Sequence, residues 1–375
     1  MVRRQFDKYG GEALWLPVTA LILLGLLFVY SASSIFASQK FGDELLFIRK
    51  QTMHLGIGII AAFVAAMTPL KWIDRFLTPL LLITLLATIA TQFPGIGKTV
   101  NGAARWLNLG GFVVQPAEFL KVTTILFISH RLWRHPQNIV QLWIALPCMA
   151  AILIQPDFGT TVILCAGIAA MAVVHGIPKR ILAIVGSIGL PIAIFVMILE
   201  PYRVKRLLSF MDPFSDPRDG GFQLLQSYVA IVNGGIFGKG LGESQQKLFF
   251  LPEAHTDFIL AVICEESGFL GFCIVILLYG LVFYTILNIA RKAATHRERL
   301  LAVGIFAMFA SSTLVNIGVV GGLLPTKGLP LPFISAGGST LVTNLFMMGL
   351  IGRIHKNAME LGPLEGSKLM GEQHA

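Results

Sequence analysis

Asp257 stands at a chemical boundary in the chain. Before it runs a polar stretch with Lys247, Pro252, Glu253, His255 and Thr256, and after it the apolar run Phe258-Ile259-Leu260-Ala261-Val262-Ile263. Thr256 is placed to cap the helix that the apolar run predicts, which would set Asp257 in the first turn beside the positive end of the backbone dipole. A carboxylate held between a wet surface and an apolar wall can take a proton from a bound hydroxyl while the wall keeps bulk water out. Glu265 and Glu266 follow two helical turns on, ~12 Å deeper at 1.5 Å per residue. Acids inside such a run need a partner or a task. Two readings stand for the glutamates: structural ion pairs or caps, and reserve acids for the same chemistry.

The elements that position these groups are membrane spans. The 375 residues are 55% hydrophobic and only 13% charged, with a mean hydropathy of +0.75. Soluble domains carry about 25% charged residues. Apolar runs near span length recur from end to end, and the class expected is an all-α polytopic membrane protein, a single domain over 1–375. About ten spans fit, near 14–36, 52–68, 75–93, 112–130, 139–155, 158–175, 180–199, 256–290, 299–322 and 332–353. A long structured outer loop, about 200–255, separates the seventh from the eighth, and a tail covers about 354–375. The 29 Lys and Arg against 20 Asp and Glu leave +9. These bases are scattered over short loops without interleaved aromatics, which points to topology and anionic lipid and away from nucleic acid. Cys148, Cys165, Cys264 and Cys273 lie in apolar runs with no CxxC spacing, so neither disulfide nor metal is implied.

Orientation follows from the short connections. Lys71 and Arg75, Arg131 and Arg134, Lys179 and Arg180, and Arg291, Lys292, Arg297 and Arg299 fall on alternate loops, on the side of Arg3, Arg4 and Lys8. The positive-inside rule then places both termini in the cytoplasm. The run from Leu14 to Ile35 is too long for a cleaved signal and reads as a retained first span.

The polar motifs collect on the other side. Arg105-Trp106 is followed by Gln115-Pro116-Ala117-Glu118, with Pro116 suited to a first helical position and Glu118 paired at i,i+3 with Lys121. Gln155-Pro156-Asp157-Phe158-Gly159-Thr160 is a tight turn. Within the long loop a second helix starts near Gly221. Gly234, Gly235, Gly238, Gly240 and Gly242 follow, either for close backbone packing or to cradle a phosphate. They form no P-loop, because Gly240 stands where Ser or Thr is required. Leu324 to Thr340 is too rich in Pro and Gly for helix, and broken backbone at membrane depth survives only against protein or a wet cavity.

Arg105, Arg203, Lys205, Arg206, Lys247 and Lys327 are candidates for binding phosphates. Trp106 offers a flat face to a sugar ring, or is an interfacial anchor. His255 titrates near Asp257, or is a hydrogen-bonded structural histidine. The eight histidines are dispersed, so no zinc site is indicated, and Ser335 and Ser339 lack the neighbours of a serine hydrolase.

Four stretches together resemble the SEDS family of cell-wall polymerases: Arg105-Trp106 with Gln115–Glu118, Gln155–Thr160, the 247–271 segment, and Leu323 to Thr340. Val29-Tyr30-Ser31-Ala32-Ser33 matches as well. The wording around Asp257 and at Leu324–Gly328 is closer to the division and sporulation members than to the elongation member. The resemblance implies a peptidoglycan glycosyltransferase that joins lipid II at the outer face of the bacterial cytoplasmic membrane and releases undecaprenyl pyrophosphate. Its essential aspartate falls on Asp257. The substrate-binding set expected is Arg105, Trp106, Glu118, Lys121, Lys247, His255, Lys327, Ser335, Ser339 and Lys50. The chain departs from the family's pattern at Ala336, Cys264, Ser267 and Lys50, where Tyr, Gly, Leu and Arg are common. The resemblance fixes no cofactor, and a divalent cation, Mg²⁺ or Mn²⁺, at the pyrophosphate stays open. The expected partners are lipid II, a class B penicillin-binding protein and other divisome membrane proteins, at the septum. Competing functions are a lipid II flippase, which needs polar groups reachable from both faces, and a scaffold, which has no need of Asp257 beside so many bases.

Overall fold

A computed structural model describes residues 10–100, 103–110, 112–198, 208–215, 221–326 and 328–362. It is a helical bundle. The helices run in chain order as α1 (Gly10–Phe41), α2 (Leu46–Met67), α3 (Leu70–Ala90), α4 (Pro116–Arg134), α5 (Ala145–Ile154, entered through a 3-10 turn at Ile139–Ile144), α6 (Phe158–His175) and α7 (Lys179–Ile198). After the long loop come α8 (Phe222–Gly234), α9 (Ile259–Arg291), α10 (His296–Val320) and α11 (Gly338–Leu361). Each of the ten apolar segments read from the sequence thus holds a helix. Six of them, α1, α2, α3, α6, α9 and α10, are long and apolar enough to cross a membrane by length and composition. The α4 helix carries Glu118, Lys121, Arg131 and Arg134, and so owes its place in the bundle to pairing as well as hydropathy.

The bundle is not purely helical. Residues 97–114 form a three-stranded antiparallel sheet, β1 (Gly97–Val100), β2 (Ala103–Leu109) and β3 (Phe112–Val114), in the order β1-β2-β3. The fourth span was expected from 112, but its first three residues are strand and the helix begins at Pro116. Two-residue gaps separate the strands, Asn101-Gly102 and Gly110-Gly111 in the sequence. Asn-Gly and Gly-Gly are the pairs whose positive φ suits a two-residue hairpin. That local signal was overridden by the apolar count around it.

Helices α2 and α11 approach so closely that a side chain at Gly349 would meet the Ala62 carbonyl, while Gly58 faces Leu345. Small residues at such contacts let backbones approach where lipid offers no hydrophobic drive for association. Behind them the core is filled by Leu120, Ile125, Leu126 and Ile128 of α4, Leu164 and Met171 of α6, and Leu300, Leu301 and Ile305 of α10.

Because the long helices alternate in direction, their connections sort to two ends. One end gathers Lys71, Arg131, Arg134, Lys179, Arg180, Arg291, Lys292 and Arg299. It also carries three outward-facing tryptophans, Trp72, Trp133 and Trp143. The other end gathers the sheet, the turn at 155–157, the described parts of the long loop, and 321–337. Among the described residues, the polar motifs singled out above belong to that second end.

Candidate active site

The loop that carries Asp257 is a succession of turns over 251–258, and α9 begins only at Ile259. Thr256 does not cap it. Its hydroxyl turns back to Glu253, donating to the main-chain carbonyl at 3.2 Å and the carboxylate at 2.9 Å, and Phe258 occupies the cap with no side-chain bond. Asp257 therefore lies ahead of the first helical turn, half-buried, and the expected dipole placement is corrected to a loop placement.

A second loop holds the first in position. Ser335 donates to the Thr256 carbonyl at 2.5 Å and accepts from the Leu331 amide at 2.8 Å. The Ala336 amide donates to the His255 carbonyl at 3.0 Å. From α2, Gln51 donates to the Ser335 carbonyl at 3.2 Å and accepts from the Gly337 amide at 3.4 Å. From α10, Asn316 donates to the carbonyls of Asp257 and Leu329, both at 2.8 Å. The Asp257 carboxylate lies against Gly328, where a Cβ would sit 2.9 Å from Oδ2. Gly328 is itself exposed, so the missing side chain leaves the carboxylate approachable from outside.

His255 packs its ring 4.5 Å from that of Phe47 and 5.9 Å from Phe36. Burial pushes its pKa below the ordinary histidine value, and the opposing pull of Glu253 is the smaller effect. A neutral imidazole at pH 7 gives little to a phosphate. Because the folded pKa is depressed, this contribution to stability is present above the unfolded pKa and fades as pH falls through that range.

Four other acids at this end, Glu118, Asp157, Glu265 and Glu266, are buried and paired, while Glu44, Glu243 and Glu253 lie at the surface. Glu118 and Lys121 are 2.9 Å apart, as the i,i+3 spacing implied, and Thr343 of α11 reaches Glu118 at 3.4 Å. Asp157 caps α6 through the Thr160 amide at 3.1 Å and accepts from the Gln115 amide side chain at 3.3 Å. Ser339 accepts from the Gln115 main-chain N–H at 2.9 Å. Lys247 lies inside the protein, donating to the Gly242 carbonyl and standing 3.4 Å from Glu266 and 3.3 Å from Ser31. It is committed to a carboxylate, contrary to the expectation of a phosphate ligand. Lys121, Ser335 and Ser339 likewise hold the scaffold. Lys50 is exposed, with its carbonyl accepting from His54 at 2.6 Å. Lys327, Arg203, Lys205 and Arg206 lie outside the described residues.

The register between β1 and β2 slips between Lys98 and Thr99: Trp106 pairs with Lys98 and Ala104 with Thr99, so Arg105 is the extra residue of a β-bulge. A bulge re-aims a side chain out of the regular alternation, and Arg105 donates to the carbonyls of Gln155 at 3.0 Å and Pro156 at 2.7 Å. Arg105→Ala should free the sheet from the 155–156 turn and destabilise the fold by about 1–3 kcal/mol, the range for stranding buried acceptors. Arg105→Lys should recover only part, since one ammonium cannot reproduce the fork. Thermal unfolding of the purified variants checks this; unchanged stability with weaker substrate binding would return Arg105 to the substrate.

The glycines of the long loop have a mechanical use. Helix α9 is broken at Gly268, where φ is +67° and ψ is −164°. Residues 235–240 fill the break. Lys239 and Gly240 donate to the carbonyls of Glu265 and Glu266, both at 3.0 Å. The amides of Phe269 and Leu270 donate back to Gly235 at 2.9 Å and Ile236 at 3.2 Å. Side chains at Gly234, Gly238 or Gly268 would collide with this backbone. Glu265 accepts from Ser244 at 2.5 Å and faces Lys239 at 3.4 Å, while Glu266 accepts from Ser31 at 2.6 Å. The glutamates are therefore structural pairs, and the glycines serve packing.

The sequence assigned no role to Asn316, Gln51 or Ser31. Their signal was present: each is a polar residue within or beside an apolar helix, a position that calls for a partner. Among the described residues no three His, Cys, Asp or Glu side chains converge as a metal site.

Comparison with known proteins agrees with this arrangement. Residues 12–360 match the cell cycle protein family FtsW/RodA/SpoVE. The chain is 39% identical to a probable peptidoglycan glycosyltransferase FtsW of Trichlorobacter lovleyi, covering 94% of each. It is 37% identical to stage V sporulation protein E of Bacillus subtilis, covering 92% of this chain and 96% of that one. Its fold is similar to a chain of a peptidoglycan synthase complex that coordinates polymerization and crosslinking, with a TM-score of 0.74, 28% identity, and coverage of 92% and 97%. The rod shape determining protein RodA of Thermus thermophilus gives 0.68, 26%, 92% and 96%. With the family match spanning the sheet, the paired acids and the Asp257 seam, this integral membrane protein belongs to the FtsW/RodA/SpoVE family.

Proposed function

We propose that the chain is a peptidoglycan glycosyltransferase that polymerises lipid II into glycan strands for septal wall synthesis, with Asp257 as its general base. One observation carries the residue assignment. Glu118, Asp157, Glu265 and Glu266 are buried in the bundle, and Asp257 is half-buried at the seam beside the exposed Gly328, where an acceptor can reach it. The acceptor sugar hydroxyl would give its proton to Asp257 as its oxygen bonds the donor's anomeric carbon. The bond from that carbon to the pyrophosphate breaks, and the electron pair leaves with undecaprenyl pyrophosphate. Attack from the face opposite the leaving group inverts the centre. Lysines are point charges for such a leaving group, and Lys327, next in sequence to Gly328, and Lys50 are the candidates, with Arg203, Lys205 and Arg206. Trp106 supplies a flat face for a sugar.

The experiment is direct. Full-length protein, with and without a class B penicillin-binding protein, is incubated with labelled lipid II, and the products are resolved by length. Glycan strands support the reading. Lipid II moved across a bilayer with no strands formed would favour a flippase.

The basic end with its tryptophans fits the cytoplasmic side, with both termini there and Asp257 outside. Single cysteines placed at Gly95 and at Gln137 should label with an impermeant reagent from outside in the first case only. The reverse pattern would invert the protein and put Asp257 on the wrong side for extracellular wall synthesis.

A further inference from the structure

We propose that Asn316 is the positioning residue for Asp257, setting its carboxylate by holding together the two loops that form the seam. The proposal rests on the reading of Asp257 as the base. Asn316 is 2% exposed and lies on α10 within a turn of its end at Val320, on a rigid element where a span closes. Its side-chain nitrogen donates to the Asp257 carbonyl and to the Leu329 carbonyl, each at 2.8 Å. These acceptors belong to different loops, one carrying the acid and the other carrying the Gly328 that leaves it open.

The geometry of an amide explains why this residue type is needed. The planar NH₂ group has two hydrogens diverging by about 120°, so two acceptors at this distance are held about 5 Å apart. Neither loop can slide by more than a few tenths of an ångström without losing its bond. The orientation of the amide is also determined. Turned over, its oxygen would face two carbonyls with nothing to donate. As placed, that oxygen has no hydrogen-bond partner among the described residues, so the two donated bonds alone fix the group. Serine has one donor, aspartate offers acceptors to acceptors, and glutamine is longer by a methylene; none can replace both bonds from the same backbone position. Ser335 and Ala336 join the loops one and two residues before Asp257, at Thr256 and His255. Asn316 grips the main chain of Asp257 itself.

The test compares wild type with Asn316→Ala, Asn316→Ser and Asp257→Asn, as full-length chains with the crosslinking partner in proteoliposomes and labelled lipid II as substrate. Misplacing a reacting group by about 1 Å costs up to about a hundredfold. Asn316→Ala should therefore lower kcat by about 10–100-fold with KM within about twofold of wild type. Asn316→Ser, keeping one donor, should fall between the two. If the Ala variant fails to fold, the Ser variant alone decides: a lowered kcat at unchanged KM supports the proposal. Wild-type kcat in any folded Asn316 variant overturns it. So does a rise in KM as large as the fall in kcat, which marks general collapse of the substrate site. Asp257→Asn separates the two levels. If it polymerises at the wild-type rate, the base itself is misassigned. If it is inactive while Asn316→Ala is fully active, Asp257 keeps its role and only the positioning by Asn316 fails.

Discussion

Asp257→Asn is expected to polymerise lipid II about 10²–10⁴-fold more slowly than wild type, the usual worth of a general base, while folding and inserting normally. Normal folding follows from how Asp257 is held. Its backbone carbonyl takes the bond from Asn316, α9 begins without a side-chain cap, and Asn matches Asp in shape. What the substitution removes is the ability to accept a proton. Asp257→Glu restores that ability but shifts the carboxylate by a methylene towards the backbone at Gly328, so activity should fall, though less than in Asn. A divalent cation offers a competing role. Mg²⁺ commonly binds through one or two carboxylates together with substrate phosphates, and a single Asp257 fits that pattern. Recovery of the Asn variant in high Mg²⁺ or Mn²⁺ would assign Asp257 to the cation. Wild-type turnover by the Asn variant without added metal removes both roles.

Lys247→Ala should destabilise the protein by about 3–5 kcal/mol, the cost of leaving one partner of a buried pair alone. Glu266 is 1% exposed, and without Lys247 it keeps only the Ser31 hydroxyl among its described hydrogen-bond partners. Replacing both members by neutral groups of similar shape, Lys247→Met with Glu266→Gln, should restore most of the loss, because the stranded charge is then absent. Thermal unfolding of the purified variants reads the difference. Were Lys247 a phosphate ligand after all, the single variant would keep its stability and lose substrate affinity.

The contrast between these residues marks what was legible in the sequence. Asp257 could be found because it breaks an apolar pattern at a fixed place in the chain, and the alternation of basic loops sorted the motifs to one end. The partner of a charge could not be found that way. Glu266 is 19 residues from Lys247, Thr256 is 79 from Ser335, and Gln115 is 224 from Ser339. Glu118 and Lys121, by contrast, share a helical turn, and theirs is the pair that spacing anticipated. The sheet was hidden for a different reason: strands of three, four and seven residues carry too little alternation to compete with the apolar runs around them. The break in α9 was hidden in turn because Gly268 lies in a continuous run of span-like composition.

That break makes the outer end of α9 a fitting closed by a foreign piece of chain. Four backbone hydrogen bonds join 235–240 to 265–270 around the non-helical residue Gly268. An unsatisfied peptide group in apolar surroundings costs several kcal/mol, so the fitting has no half-open state: releasing the strap strands carbonyls on one side and amides on the other together. It behaves as a latch, shut or sprung. In hydrogen exchange, the amides of Lys239, Gly240, Phe269 and Leu270 should open in a single event despite the roughly thirty residues between them, because they belong to one cooperative unit.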